Sequence, residues 1–89
     1  MMENIVCNNA QKYVLVEKLS GSLKNEFPAY TDFSTVDGVR LALKNGWLLV
    51  RASGTEPLIR LTVEGESPEA AKDITQKATA LIHKQVEAQ

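Results

Sequence analysis

Apolar residues in the first third of the chain recur at steps of three and four, the spacing of one face of a helix. We predict a helix from about Asn9 to Glu26, ended by Pro28, which cannot continue it. Gly21 is expected to weaken this helix by about 1 kcal/mol relative to alanine and to bend or shorten it. The predicted apolar stripe comprises Tyr13, Val16, Leu19, Leu23 and Phe27, and the predicted solvent-facing residues are Lys12, Glu17, Lys18 and Lys24.

The middle of the chain alternates apolar and polar positions with a period of two, which is typical of half-buried strands. Asp37-Gly38 and Asn45-Gly46 bound the clearest alternating run. Both dipeptides predict tight type I′ turns, in which both central residues have positive φ. The predicted strands are residues 33–36, 39–44, 47–51 and 59–64.

A second helix is predicted near the end of the chain, because Ser67 is a favourable N-cap and Pro68 suits the first helical position. Its apolar stripe, which runs to about residue 86, comprises Ala71, Ile74, Ala78, Leu81 and Ile82. The order helix, four strands, helix predicts an α+β fold: a four-stranded, mainly antiparallel sheet with both helices packed on one face. Residues 1–89 are expected to form a single domain, with residues 1–8 as a linker or a strand stub.

Charge and composition narrow the classes of partner. Ten basic and eleven acidic side chains give a formal net charge of −1, so we expect neither nucleic acid nor a membrane surface as a partner. No apolar run approaches the roughly 20 residues that a membrane helix needs, and the N-terminus lacks the features of a signal peptide. The single Cys7 can form no internal disulfide, which favours a reduced, cytoplasmic setting.

The loop between the last two predicted strands has the most distinctive chemistry. Ser53, Gly54 and Thr55 are small and can bring two hydroxyls and several backbone N–H groups together. Gly54 can adopt φ values that other residues avoid, so successive N–H groups can point into one anion-binding concavity, a nest. Pro57 fixes φ and stiffens the end of the loop, which lowers the ordering cost of binding.

Arginines flank this loop, since Arg51 enters it and Arg60 follows it. Because the loop joins two predicted antiparallel neighbours, both side chains can lie near the same end of the sheet. Guanidinium groups combined with hydroxyls and amides suit a phosphate. A second interpretation stays open on the residues alone, because Ser-Gly-Thr in a hairpin connection and pairs of surface arginines are both common.

Residues 51–60, Arg-Ala-Ser-Gly-Thr-Glu-Pro-Leu-Ile-Arg, resemble the phosphate-binding loop of the α-D-phosphohexomutases, whose pattern is Arg-x-Ser-Gly-Thr-Glu-Pro-x-x-Arg. The flanking strands and the closing helix fit the C-terminal domain of that family, so the resemblance spans nearly the whole chain. The family comprises phosphoglucomutases, phosphomannomutases, phosphoglucosamine mutases and phosphoacetylglucosamine mutases. The loop is most similar to the phosphoglucosamine mutase and phosphomannomutase versions. Ala52 stands where phosphoglucosamine mutases often carry proline, which leaves that choice open.

The resemblance implies a parent enzyme that is an isomerase, moving a phosphoryl group between O1 and O6 of a hexose through a phosphoserine with Mg²⁺. The loop would bind the phosphate that is not reacting, which positions the reacting oxygen. By this resemblance the substrate phosphate-binding residues are Arg51, Ser53, Gly54, Thr55 and Arg60, with Glu56 and Pro57 supporting the loop.

Three motifs of such mutases have no counterpart in this sequence: the phosphoserine loop, the Asp-x-Asp-x-Asp metal loop and the Gly-Glu-x-Ser-Gly-His-like sugar loop. Phosphoryl transfer needs the donor and the metal. We therefore expect no catalytic residue and no metal ligand in this chain, and no activity of the chain alone. The expected partners are a hexose phosphate and the other domains of the parent mutase. The alternative is a stand-alone anion-binding or protein-interaction module without catalysis.

Overall fold

The predicted α+β class is confirmed, but the sheet has five strands rather than four. A computed structural model describes residues 1–88. The elements in chain order are β1 (Met2–Val6), α1 (Lys12–Glu26), β2 (Asp32–Ser34), β3 (Val39–Leu43), β4 (Gly46–Ala52), β5 (Leu58–Gly65) and α2 (Pro68–Glu87). All neighbouring strands are antiparallel, in the order β1-β5-β4-β3-β2.

The additional strand is β1, at the edge of the sheet beside β5. The two strands pair from Met2↔Thr62 to Val6↔Leu58. Within β1 only Ile5 is buried, so the strand lacks the apolar alternation that identifies a half-buried strand in a sequence. Backbone pairing with β5 places it in the sheet, and that pairing leaves no pattern in the side chains.

Both helices cover one face of the sheet, and the core lies between them and that face. The register pairs buried residues with buried residues, such as Val39 with Val50 and Val50 with Leu61. Alternate residues of the same strands lie on the opposite side, which we call the open face because neither helix covers it. The fully buried side chains are Leu15, Leu19, Leu23, Leu41, Leu48, Ile59, Leu61, Ile74, Ile82, Val39, Val50 and Val63.

The helices follow the predicted stripes, with corrections at the start of α1. This helix begins at Lys12 rather than near Asn9. Tyr13 is 60% exposed, whereas Lys12 is only 4% exposed, so both predicted orientations are wrong. They fail because the first turn of α1 packs beside the loop before β5, where a carbonyl binds the lysine ammonium. In α2, Ser67 Oγ accepts from the N–H of Ala70 at 3.0 Å and confirms the predicted N-cap.

The α-helices of residues 1–88 carry no membrane span, because neither combines the length and the apolar character that crossing a bilayer requires.

The prediction of type I′ turns is wrong. Such turns need positive φ at both central residues, and within residues 1–88 only Gly38 (φ +82°) and Gly46 (φ +156°) have positive φ. Asp37 and Asn45 do not. Gly46 pairs with Leu43 as part of the β3–β4 ladder, so the dipeptide is offset from the turn that it was expected to form.

Replacing Gly21 with alanine is expected to stabilise the folded chain by about 0.5 to 1 kcal/mol. The helix α1 runs through Gly21 from Lys12 to Glu26, so this glycine neither ends nor shortens it. Gly21 is exposed, and a Cβ built there meets no atom within 4 Å. Urea unfolding should show a higher midpoint with an unchanged slope. An unchanged or lower midpoint would contradict this account of α1.

Candidate functional site

Arg51 and Arg60 are directly paired across β4 and β5. Their strand neighbours Val50 and Leu61 are buried in the core, so both guanidinium groups lie on the open face, at the end of the sheet where the loop joins the two strands. Like charges directly opposite each other destabilise a sheet. The pair therefore indicates a place where a bound anion would offset the repulsion.

Within residues 1–88, only one carboxylate approaches either arginine. Arg51 Nη1 lies 3.9 Å from Asp37 Oδ2, and the two side chains are 48% and 74% exposed. Solvent screening makes such a pair weak. Arg60 Nε donates to the neutral Asn4 Oδ1 at 3.3 Å. Both guanidinium groups therefore keep donors for the oxygens of a ligand.

The serine of the loop draws two backbone amides together. The N–H groups of Thr55 and Glu56 donate to Ser53 Oγ at 3.3 Å and 3.1 Å. Gly54 is exposed, and its N–H has no hydrogen-bond partner within residues 1–88. The prediction that Gly54 supplies a left-handed conformation is wrong, because its φ is not positive. The turn is closed by the Ser53 hydroxyl, in the manner of an N-cap.

The end of the loop is held by backbone hydrogen bonds around Pro57. The N–H of Leu58 donates to Glu56 O at 2.8 Å, which closes a three-residue turn centred on the proline. The Cys7 N–H donates to Pro57 O at 2.9 Å, and the Ser53 N–H donates to Leu58 O at 3.0 Å. Because the proline fixes φ, the loop is held in shape before any ligand binds.

Sequence reasoning missed Lys12, which lies beside the loop. Its Nζ donates to Glu56 O at 3.0 Å, across 44 positions of sequence. No spacing rule relates residues so far apart. The one local signal is a lysine at the first position of a helix whose first turn holds no acidic residue, against the preference of a helix N-terminus for negative charge.

Cys7, His83 and the carboxylates are not arranged as a nucleophilic or metal-binding site in the described residues. Cys7 is buried, and burial raises the pKa of its thiol, although the nearby charge of Lys12 partly opposes the increase. The thiol is therefore protonated at neutral pH and a weak nucleophile. His83 is exposed on α2. Across the described part of the chain, no three His, Cys, Asp or Glu side chains are grouped so that they could hold a metal ion.

A groove of about 590 Å³ opens beside Arg51. Residues of α1, including Tyr13 and Glu17, form one wall, and residues 35–39 form the other. Its lining also includes Ala52, the last residue of β4, but neither Arg60 nor residues 53–57 of the loop. A ligand bound at Arg51 would have room in this groove for a body beside its anionic group.

The substitution Asp37→Asn is expected to tighten binding of a phosphorylated ligand about twofold, because it removes a carboxylate that competes for Arg51. Asp73→Asn is the matched control, since it removes the same charge from the 3.2 Å pair with Lys77 on α2. Calorimetric titration with a hexose 6-phosphate would measure both affinities. Equal changes in the two variants would assign the effect to net charge, and weaker binding by Asp37→Asn would contradict the competition.

An α+β domain with an antiparallel sheet under two helices, and a Ser-Gly-Thr loop between paired arginines, fits the C-terminal domain of the phosphohexomutases that the sequence resembles, although the sheet has five strands rather than the predicted four. A comparison of the sequence with protein families identifies the same class of domain. Residues 2–81 match the family described as phosphoglucomutase/phosphomannomutase, C-terminal domain, and the chain belongs to that family.

Curated relatives carry a more specific name. The chain is 42% identical over 85 residues to a probable phosphoglucosamine mutase of Methanopyrus kandleri, which covers 96% of the chain and 18% of that protein. It is 37% identical over 81 residues to a probable phosphoglucosamine mutase of Methanothermobacter thermautotrophicus, covering 90% of the chain and 18% of that protein. The chain thus spans about a fifth of the length of these relatives.

A solved structure has the same fold. It is a phosphoglucomutase/phosphomannomutase family protein from Burkholderia thailandensis, which superposes with a TM-score of 0.70 at 22% sequence identity. The match covers 96% of this chain and 18% of that one.

Proposed function

We propose that residues 51–60 bind the phosphate group of a hexose phosphate. The observation that carries the proposal is the register pair Arg51↔Arg60, which sets two guanidinium groups side by side on the open face. Of the carboxylates in residues 1–88, only that of Asp37 lies within 4 Å of either, at 3.9 Å. A dianionic phosphate supplies the missing negative charge, and its oxygens match the fork geometry of arginine.

The loop supplies the other donors. The Gly54 N–H is exposed and without a partner in the described residues, and it is free to donate to a phosphate oxygen. The Ser53 hydroxyl now accepts from the amides of Thr55 and Glu56. When phosphate binds, these amides can donate to it, while the hydroxyl rotates and donates as well. Each hydrogen bond to a charged group of this kind contributes about 1.5 to 3 kcal/mol.

We further propose that this chain serves as the C-terminal domain of a phosphoglucosamine mutase, because the curated relatives bear that name. In that role the loop holds the phosphate remote from the reacting oxygen. Fixing the remote group orients the sugar and converts binding energy into catalysis elsewhere in the enzyme. The partners are then glucosamine phosphate and the other domains of the parent, and the chain alone lacks activity.

Mg²⁺ in a mutase of this type would neutralise charge on the transferring phosphoryl group. The residues of this chain do not fit that ion, because the described part of the chain contains no group of three His, Cys, Asp or Glu side chains placed to hold it. No step of the proposal is therefore assigned to a metal bound by this chain. Its own residues bind phosphate and orient the ligand.

A domain exchange tests this role against that of a stand-alone module. The corresponding segment of the Methanopyrus kandleri relative would be replaced by this chain, which is 42% identical to it. We expect the chimaera to interconvert glucosamine 6-phosphate and 1-phosphate. The same chimaera carrying Arg51→Gln should show a KM raised about tenfold. A folded chimaera without activity, or one indifferent to the substitution, would contradict the proposed role.

A further inference from the structure

The lysine beside the loop has an unusual place for a charged residue. Lys12 is 4% exposed and is the first residue of α1. Lysine is almost never fully buried unless it is paired, and a helix N-terminus carries a partial positive charge that disfavours a cation. The first turn of α1 contains no acidic residue to compensate. Neither packing nor helix formation accounts for a lysine at this position.

The contacts of the ammonium group leave its charge without a counter-ion. Its one hydrogen bond goes to the neutral carbonyl of Glu56, at 3.0 Å. The ring of Tyr13 lies 5.3 Å away and contributes a weak cation–π contact. No carboxylate within residues 1–88 comes within 4 Å of Lys12 Nζ. A buried ammonium has three donors, and the structure accounts for one of them.

The carbonyl that Lys12 binds belongs to the candidate phosphate loop. The same residue, Glu56, donates its N–H to Ser53 Oγ, so Lys12 holds one side of Glu56 while the serine holds the other. The next carbonyl, that of Pro57, is bound by the N–H of Cys7. Two successive carbonyls are thus drawn towards the segment that ends β1 and begins α1, and the amides of the loop are left to converge on Ser53.

We propose that Lys12 is a positioning residue for phosphate binding: it fixes the Glu56 carbonyl and lends its unpaired charge to the anion site. The inference rests on the proposed function of residues 51–60. It explains why a charge is retained in a buried place, because the phosphate supplies the counter-charge that residues 1–88 do not. In this role the Lys12 charge increases phosphate affinity, whereas burying that charge lowers the free energy of unfolding.

The test compares Lys12→Met with Lys12→Arg. Methionine keeps the length and the apolar stem of lysine without the charge, so Lys12→Met should fold and unfold at a urea concentration no lower than the wild-type chain. Its affinity for inorganic phosphate and for glucosamine 6-phosphate should fall roughly threefold to tenfold. Lys12→Arg should recover part of that loss. Lys18→Met, which removes an exposed charge from the same helix, should change the affinity little.

A measurement on the wild-type chain tests the role of Lys12 even if Lys12→Met does not fold. The ¹⁵N signal of the Lys12 ammonium should shift during a phosphate titration, together with the amide of Glu56. Wild-type affinity in Lys12→Met, or an ammonium signal that phosphate leaves unmoved while the loop amides respond, would overturn the role of Lys12 alone. Absence of phosphate binding by the wild-type chain would instead overturn the proposed function, and this inference with it.

Discussion

Replacing either arginine of the register pair with glutamine is expected to weaken glucosamine 6-phosphate binding about tenfold or more, without loss of stability. Arg51 and Arg60 each provide charge-assisted hydrogen bonds to the phosphate in our proposal. In the free chain they stand directly opposite each other, and their mutual repulsion opposes folding. Arg51→Gln and Arg60→Gln should therefore lower affinity while the urea midpoint stays the same or rises.

A third arginine of the open face provides the control. Arg40 lies on β3, opposite Leu49 of β4, and its guanidinium stacks 5.3 Å from the Trp47 ring. Arg40→Gln removes the same charge from the same face without touching the loop, and it should change phosphate affinity less than twofold or so. Equal losses for Arg40→Gln and Arg51→Gln would show that the face attracts anions by charge alone. Lost stability in the Arg51 and Arg60 variants would contradict the repulsion argument.

Alanine in place of Gly38 is expected to destabilise the chain by about 2 to 4 kcal/mol. Gly38 has φ +82°, a conformation that residues with a Cβ rarely adopt, and a Cβ built there would clash with the backbone oxygen of Val50. It would also lie 2.8 Å from the Cβ of Arg51. Part of β4, the strand that positions Arg51, would therefore have to move. Phosphate affinity should then fall together with the free energy of unfolding.

Gly54→Ala is the matched control for that substitution. Gly54 does not have positive φ, and a Cβ there meets nothing within 4 Å. In urea unfolding, the free energy of unfolding of Gly54→Ala should differ from that of the wild-type chain by less than about 0.5 kcal/mol. If Gly38→Ala is as stable as Gly54→Ala, the close approach of β4 to residue 38 does not exist in solution.

The sequence predicted the loop because its chemistry is contiguous. Arg51, Ser53, Gly54, Thr55 and Arg60 lie within ten positions, and antiparallel strands on either side bring the ends of such a segment together. The facing of the two arginines follows from that pairing, and the structure places them directly opposite each other. Helical stripes and the Ser67 cap were equally local, and they were predicted for the same reason.

Features that depend on distant contacts were missed or left open, as for residues 1–8, which were predicted as either a linker or a strand stub. β1 joins the sheet through backbone pairing and buries a single residue, so no side-chain period reveals it. Lys12 looked like a solvent-facing residue, since only the fold shows that a carbonyl 44 positions away meets its ammonium. The prediction of a type I′ turn at Asn45-Gly46 failed because the pairing of β3 with β4, rather than the dipeptide itself, decides which residues occupy the turn.

Whether residues 51–60 bind phosphate is tested by an amide NMR titration of this chain with glucosamine 6-phosphate, using unphosphorylated glucosamine as the control. We predict that saturable backbone amide shifts are confined to residues 53–56, and that the Nε signals of Arg51 and Arg60 and the ammonium signal of Lys12 shift with them. These shifts should require the phosphate and weaken as salt is added. Equal shifts with both sugars, or a phosphate-dependent response that leaves residues 51–60 unmoved, would contradict the assignment of this loop as the phosphate site.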